Sequence, residues 1–339
     1  MKKLVISLLL VFSMVFVAAC GQSADNSKKP EEASKAPEKV YTLRISTVIG
    51  EGDPLYDGYV KFAAEVEKRT NGGMQVTVYP NAVLGQDEDV MEQALLGVDV
   101  AFNTDAGRLA VRVPDIGIIL APYLFDNTDE AQKVVTSDLF KKWQEELENK
   151  HGLTLLSLNN YVGGRHFITK KPIAKPEDLN GLKIRTPGAP VWQESIRAMG
   201  GTPVAMPWVE TYSALQQGVV DGAEAQHPAS YGLRLHEIGK HITKTGHILL
   251  MNGLVVGTKW FKELPEEYQQ ILVEEAIKAG EYTTQKVLAT EREFEEKMTA
   301  EGATIHEIDV EPFKQSVDAA YEKLGFVELR NEIYKILGK

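Results

Sequence analysis

The sequence predicts an α/β protein of two hinged lobes, with one long helix spanning both. Three observations carry this. Strands and helices alternate early in the chain, the alternation restarts after a helical middle, and residues 263–302 keep a single apolar helical register. YTLRISTVI (41–49) alternates, with Tyr41, Leu43 and Ile45 on one face. PLYDGYVKFAAEVEKRTNG (54–72) then has helical apolar spacing and an Asn-Gly-Gly stop. MQVTVYP (74–80) reads as a strand, DEDVMEQALLG (87–97) as a helix ended by glycine, and VDVAFNTD (98–105) as a strand. This succession predicts a mainly parallel sheet covered by helices, and ligands of such sheets lie beyond the carboxyl ends of the strands.

DEAQKVVTSDLFKKWQEELENK (129–150) is helical. After it GLTLLSLNNYVGG, GLKIRT, TPVAM, VVDGAEA and HILLMNGLVVGTKW read as strands or strand ends with helices between them. The C-terminal register over 263–302 amounts to about ten turns, enough to lie across two lobes. Lobe I is expected over 40–162 and 251–290 and lobe II over 163–250 and 291–339, with the helix of about 264–300 bridging them and the cleft as the default ligand site.

The N-terminus does not belong to either lobe. Lys2 and Lys3 precede an apolar run from Leu4 to Ala19, interrupted only by Ser7 and Ser13, which reads as a secretory signal over 1–19 and is short for a membrane span. It ends in FVAAC, and Cys20 is the one cysteine in the chain, so it cannot form an internal disulfide. The remainder of 20–39, GQSADNSKKPEEASKAPEK, is polar and Pro-bearing and reads as a flexible tether. The formal net charge is −11, and removal of Lys2 and Lys3 with the leader makes the rest more acidic still. An acidic surface excludes nucleic acid as a general partner, and any anion capture must come from local arginines.

GLKIRTPGAP (181–190) ends an apolar strand on Arg185, just before Pro187 and Gly188. A buried arginine needs an anion, because an unmatched charge in a protein interior costs several kcal/mol. Either an internal carboxylate such as Glu224 meets it or a ligand does.

PNAVLGQDEDVMEQALLGVDVAF, VPDIGIILAPYLF, PIAKPEDLNGLKIRTPG and WVETYSALQQGVVDGAE occur in that order, and together they resemble the signatures of the solute-binding proteins of TRAP transporters, the DctP-like family. FVAAC resembles the lipobox of bacterial lipoproteins. The resemblance runs from about residue 41 to residue 260. It implies a periplasmic-binding-protein-like fold, a small organic acid as ligand, delivery to the membrane subunits of an ion-coupled importer, and no cofactor. With the lipobox it implies a protein outside the cell membrane, anchored through lipid on Cys20.

The resemblance also assigns residues. Arg185 would pair with the ligand's carboxylate, for which guanidinium supplies two parallel N–H donors. Arg165, in YVGGRHFIT, lies where the family has a second arginine, and its neighbour His166 reads as a polar surface or hinge residue. Trp208 stands where an aromatic often meets the substrate, with core packing as the competing role. The family commonly has asparagine after the Glu of Asp-Gly-x-Glu, whereas this chain has Ala225, so Gln226 or His227 would have to supply the missing contact. Asp105 and Arg108 follow a strand end facing the expected cleft, and Asn252 lies at the later crossing. C4-dicarboxylates, sugar acids, 2-oxo acids and aromatic acids are the candidate ligands.

A lipid-anchored hydrolase or an adhesin is the alternative reading. The chain has no Gly-x-Ser-x-Gly turn, no phosphate loop and no catalytic cysteine pattern, which argues against an enzyme. His236, His241 and His247 do not share a helical face, suggest no metal site and read as scattered surface residues.

Overall fold

The computed structural model describes residues 39–339. The leader (1–19), Cys20 and the tether, apart from Lys39, lie outside the described residues. The first stretch comprises β1 (Tyr41–Ser46), α1 (Pro54–Arg69), β2 (Met74–Tyr79), α2 (Asp87–Leu95), β3 (Val100–Asp105) and the single turn α3 (Ala106–Leu109). Next come α4 (Thr128–Val135), α5 (Asp138–His151), the long β4 (Leu153–Gly164), β5 (His166–Thr169), β6 (Lys183–Thr186), α6 (Pro190–Ala198) and β7 (Thr202–Ala205). Then α7 (Thr211–Gln217), β8 (Gly222–Ala225), α8 (His227–Gly232), β9 (His241–Thr243) and β10 (Leu249–Gly257) follow. The chain ends with α9 (Thr258–Lys262), α10 (Glu266–Ala300), β11 (Thr304–His306), α11 (Glu311–Ser316), α12 (Asp318–Leu324) and α13 (Val327–Leu337).

Local chemistry sets these boundaries. Asp53 accepts the Leu55 N–H at 2.8 Å and Pro54 occupies the first turn, so α1 starts there. The helical middle is two helices, because the Ser137 hydroxyl accepts from Phe140 N–H and restarts the chain as α5.

Two sheets result, ordered β2-β1-β3-β10-β4 and β11-β9-β5-β8-β6-β7. In the first, β1 runs parallel to β2 and β3, and β10 is antiparallel to both β3 and β4. In the second, β8, β6 and β7 are parallel to one another and β5 is antiparallel to its neighbours. The chain passes from the first sheet to the second between Gly164 and His166 and returns between Thr243 and Leu249. The two crossings bond to each other, Arg165 N–H to Ile248 O at 2.8 Å and His247 N–H to Arg165 O at 3.2 Å. Helix α10 makes a third connection, from β10 to β11. No helix among the described residues is long and apolar enough to cross a membrane.

Close approach of backbone elements rests on two glycines. A Cβ at Gly280, midway along α10, would lie 2.1 Å from Asn159 Oδ1 and 2.3 Å from Asn160 Oδ1 of β4. A Cβ at Gly257, at the end of β10, would lie 1.9 Å from the Ala94 carbonyl oxygen of α2. Only glycine permits both contacts.

The histidines differ from the surface reading. His166, His236 and His247 are buried, and each meets a polar partner: Gly246 N–H for His166, Glu301 Oε2 at the surface 2.8 Å from His236 Nε2, and Thr245 Oγ1 2.8 Å from His247 Nδ1.

Candidate functional site

The carboxyl ends of the parallel strands in the two sheets converge on one cavity of about 480 Å³, mouth included. Arg185, Arg165, Trp208, Gln226, Asp105, Arg108 and Asn252, scattered over 148 positions of sequence from 105 to 252, all line it. Asp87, Asn103 and Trp192 line it too, and sequence reasoning did not single them out. Asn103 stands two positions before Asp105 on β3, so strand alternation would have put both on one face. Asp87 reads locally as an ordinary acidic residue in a helix's first turn.

Three arginines reach the cavity, and they differ in what holds them. Arg108 bonds the Asp105 carboxylate and lies 2.9 Å from Asp87 Oδ2. Arg165, 5% exposed, bonds the carboxylate and the carbonyl of Glu224 and donates from Nη1 to Gln226 Oε1 at 2.9 Å. Glu224, weighed above as a partner for Arg185, is therefore taken by Arg165. Burial would raise the Glu224 pKa, but the Arg165 charge and hydrogen bond, with His247 Nε2 3.7 Å away, carry it down to about 2.

Arg185 is different. It is 1% exposed, sits on β6 between β7 and β8, and no carboxylate among the described residues lies within ion-pair distance of it. Nε and Nη2 share the Met206 carbonyl at 3.2 and 2.8 Å, and the guanidinium lies over the Trp208 ring at 5.2 Å. Burial pulls its pKa down to about 9, Glu224 opposing and the charges of Arg165 and Arg108 assisting. At neutral pH it remains a cation without a fixed anion.

The opposite wall supplies acceptors. Tyr59 O–H donates to Asn103 Oδ1 at 2.7 Å and Asn252 Nδ2 donates to the same oxygen at 3.1 Å, which leaves the buried Asn252 Oδ1 without a donor. Asp105 caps α3 and also accepts from Trp192 Nε1 at 3.2 Å, a bond that joins the two sides of the cleft. Gln226 faces the cavity. His227 turns away from it toward Glu295, 3.1 Å from Nε2, so of the two candidates to replace the missing asparagine only Gln226 reaches the site.

Behind the cavity, His166, His227 and Glu291 place one ligand atom each within 4.8 Å of one another. Gly246 N–H donates to His166 Nδ1 at 3.0 Å, which puts the proton of neutral His166 on Nε2, and the Lys244 ammonium lies 2.9 Å from the adjacent Glu295. Both features oppose a cation there.

Two sheets joined by paired crossings, with a cationic cavity where their strands end, define a hinged solute-binding protein. The chain belongs to bacterial extracellular solute-binding protein family 7 (DctP), whose profile matches residues 45–326. A TRAP periplasmic solute-binding protein from Escherichia fergusonii, solved in an unliganded open form, is 41% identical; the alignment covers 88% of this chain and 100% of that one, with a TM-score of 0.77. One from Ochrobactrum anthropi with bound L-fuconate is 34% identical over 88% and 99% of the two chains, with a TM-score of 0.85. The sialic acid-binding periplasmic protein of Vibrio cholerae is 26% identical over 83% of this chain and 88% of its own length.

Proposed function

We propose that the protein captures a hydroxylated monocarboxylate, a sugar acid, and presents it in the closed form to a TRAP-type membrane importer, while lipid on Cys20 holds it at the outer face of the cell membrane. The observation that carries this is the isolated Arg185. Its guanidinium is the one cleft arginine without a fixed carboxylate, and a ligand carboxylate supplies the missing charge through paired hydrogen bonds.

A second ligand carboxylate has no comparable partner. Arg165 and Arg108 are already neutralised, and Asp87 and Asp105 would repel it. Hydroxyls, in contrast, suit the uncharged amides of Gln226, Asn103 and Asn252 that line the cavity. This favours sugar acids over C4-dicarboxylates, in keeping with the L-fuconate and sialic acid of two relatives. Membership of a family of binding proteins supports capture and release without turnover. The better match to the L-fuconate complex than to the open form, despite lower identity, supports a closed state bridged by Trp192 and Asp105.

The test is a thermal-shift panel of sugar acids, their amides, C4-dicarboxylates and neutral sugars. Acid at a hundred times its Kd adds about 2.7 kcal/mol. Sugar acids are expected to raise the Tm and their amides are not; equal shifts from acid and amide would remove the carboxylate clamp.

A further inference from the structure

The inner cavity does not end at Trp208. Val48, Ile49, Trp208 and Ala229 also line a second, outer chamber of about 1080 Å³, mouth included, so the two spaces adjoin with Trp208 at their junction. The outer part is more than twice the inner one, and its walls differ in kind. Tyr231, Phe294 and Leu233 give it aromatic and aliphatic surface, while Asn81 and Glu51 offer hydrogen-bonding groups. Its one ammonium, Lys297, is held 2.6 Å from Glu293 Oε1 and lies 5.1 Å over the Phe294 ring. Glu51 adds negative character. A second acidic group finds only Lys297, already shared with Glu293, among the lining residues. An uncharged ring with one apolar face and several hydroxyls matches both the aromatic surface and the acceptors.

We infer that the cleft takes an acidic disaccharide, with its carboxylate-bearing unit on Arg185 in the inner cavity and a neutral sugar ring in the outer chamber. This rests on the reading of the inner site as a sugar-acid site. It adds a subsite for a second sugar, and hence a substrate released by enzymes that cut acidic polysaccharides or oxidise the end of a disaccharide.

Gly232, the last residue of α8, lines the outer chamber, and a Cβ built on it meets no atom within 4 Å. A side chain at this position thus starts into open space at the chamber wall, and Gly232→Trp is the variant chosen to obstruct the chamber. The experiment is calorimetric titration of the mature protein, unfolded and refolded to strip resident ligand. The single-unit probes are D-gluconate and D-glucuronate; the two-unit probes are lactobionate, maltobionate and cellobionate, which are gluconate bearing a neutral hexose. Phenyl glucuronide tests an aromatic occupant.

At least one two-unit acid is expected to bind ten-fold or more tighter than gluconate. Gly232→Trp should erase that gain, keep the Tm, and leave single-unit affinity within two-fold. Three results overturn the subsite: single-unit acids bind and no two-unit acid gains, the gain survives Gly232→Trp, or phenyl glucuronide gains as much as the best disaccharide. Absence of binding by every acid overturns the sugar-acid reading itself, a result distinct from these three.

Discussion

Arg185 and Arg165 are both buried guanidiniums, yet substitution should separate them. Arg185→Lys keeps a charge and loses the fork, so acid affinity should fall about 100-fold, about 2.7 kcal/mol, in calorimetric titration. Arg185→Met removes a desolvated cation that has no internal anion, and the ligand-free Tm is expected to hold or rise. Glu224→Gln does the reverse. It leaves Arg165 buried without its carboxylate and should lower unfolding free energy by about 3–5 kcal/mol in denaturant titration. If Arg185→Met proved as destabilising as Glu224→Gln, Arg185 would be a structural cation and the clamp would lie elsewhere.

At the scale of elements, β10 is pinned to α2 by the absence of a side chain. In Gly257→Ala the new Cβ meets the Ala94 carbonyl, a backbone atom inside a helix that cannot step aside. Overpacking of this kind costs about 1–3 kcal/mol; urea unfolding should show the loss, and an unchanged midpoint would mean that α2 shifts freely. The same glycines show what was legible in advance. Strand alternation, the helix stops and the register of α10 are local, so most elements could be placed from the chain alone, and the family signatures directed attention to the cleft arginines. Which acid pairs with which arginine was not legible, because Glu224 and Arg165 lie 59 positions apart and meet only through the pairing of β5 with β8. Short strands such as β9 and β11, each three residues, carry too little pattern to be seen, and the histidine burial depends on partners such as Glu301, 65 positions from His236.

The whole molecule should lose stability in acid. Burial lowers His227 to about 4 and pulls His166 and His247 below the ordinary value of 6.5. The unfolded chain then binds more protons than the native state below pH 6.5, so the stability they confer is complete above that pH and declines as pH falls toward 4. Glu224, held near 2 against an ordinary 4.5, adds a further loss between those values. Asp53, which burial raises to about 7, acts in the opposite direction between 3.8 and 7. A variant comparison isolates the histidine part: His227→Gln should flatten the dependence of unfolding free energy on pH between 6.5 and 4, and an unaltered slope would assign the acid sensitivity to other groups.

The position of β10 bears on how the chain reaches this state. It lies between β3 and β4 in the first sheet, yet it is made of residues 249–257. A chain made from its N-terminus therefore holds β3 and β4 as unjoined edges until β5 to β9 of the second sheet have also been made. Closing such long loops is slow. The first sheet therefore stays open at its centre for most of the chain's synthesis and is completed only when β10 closes the gap.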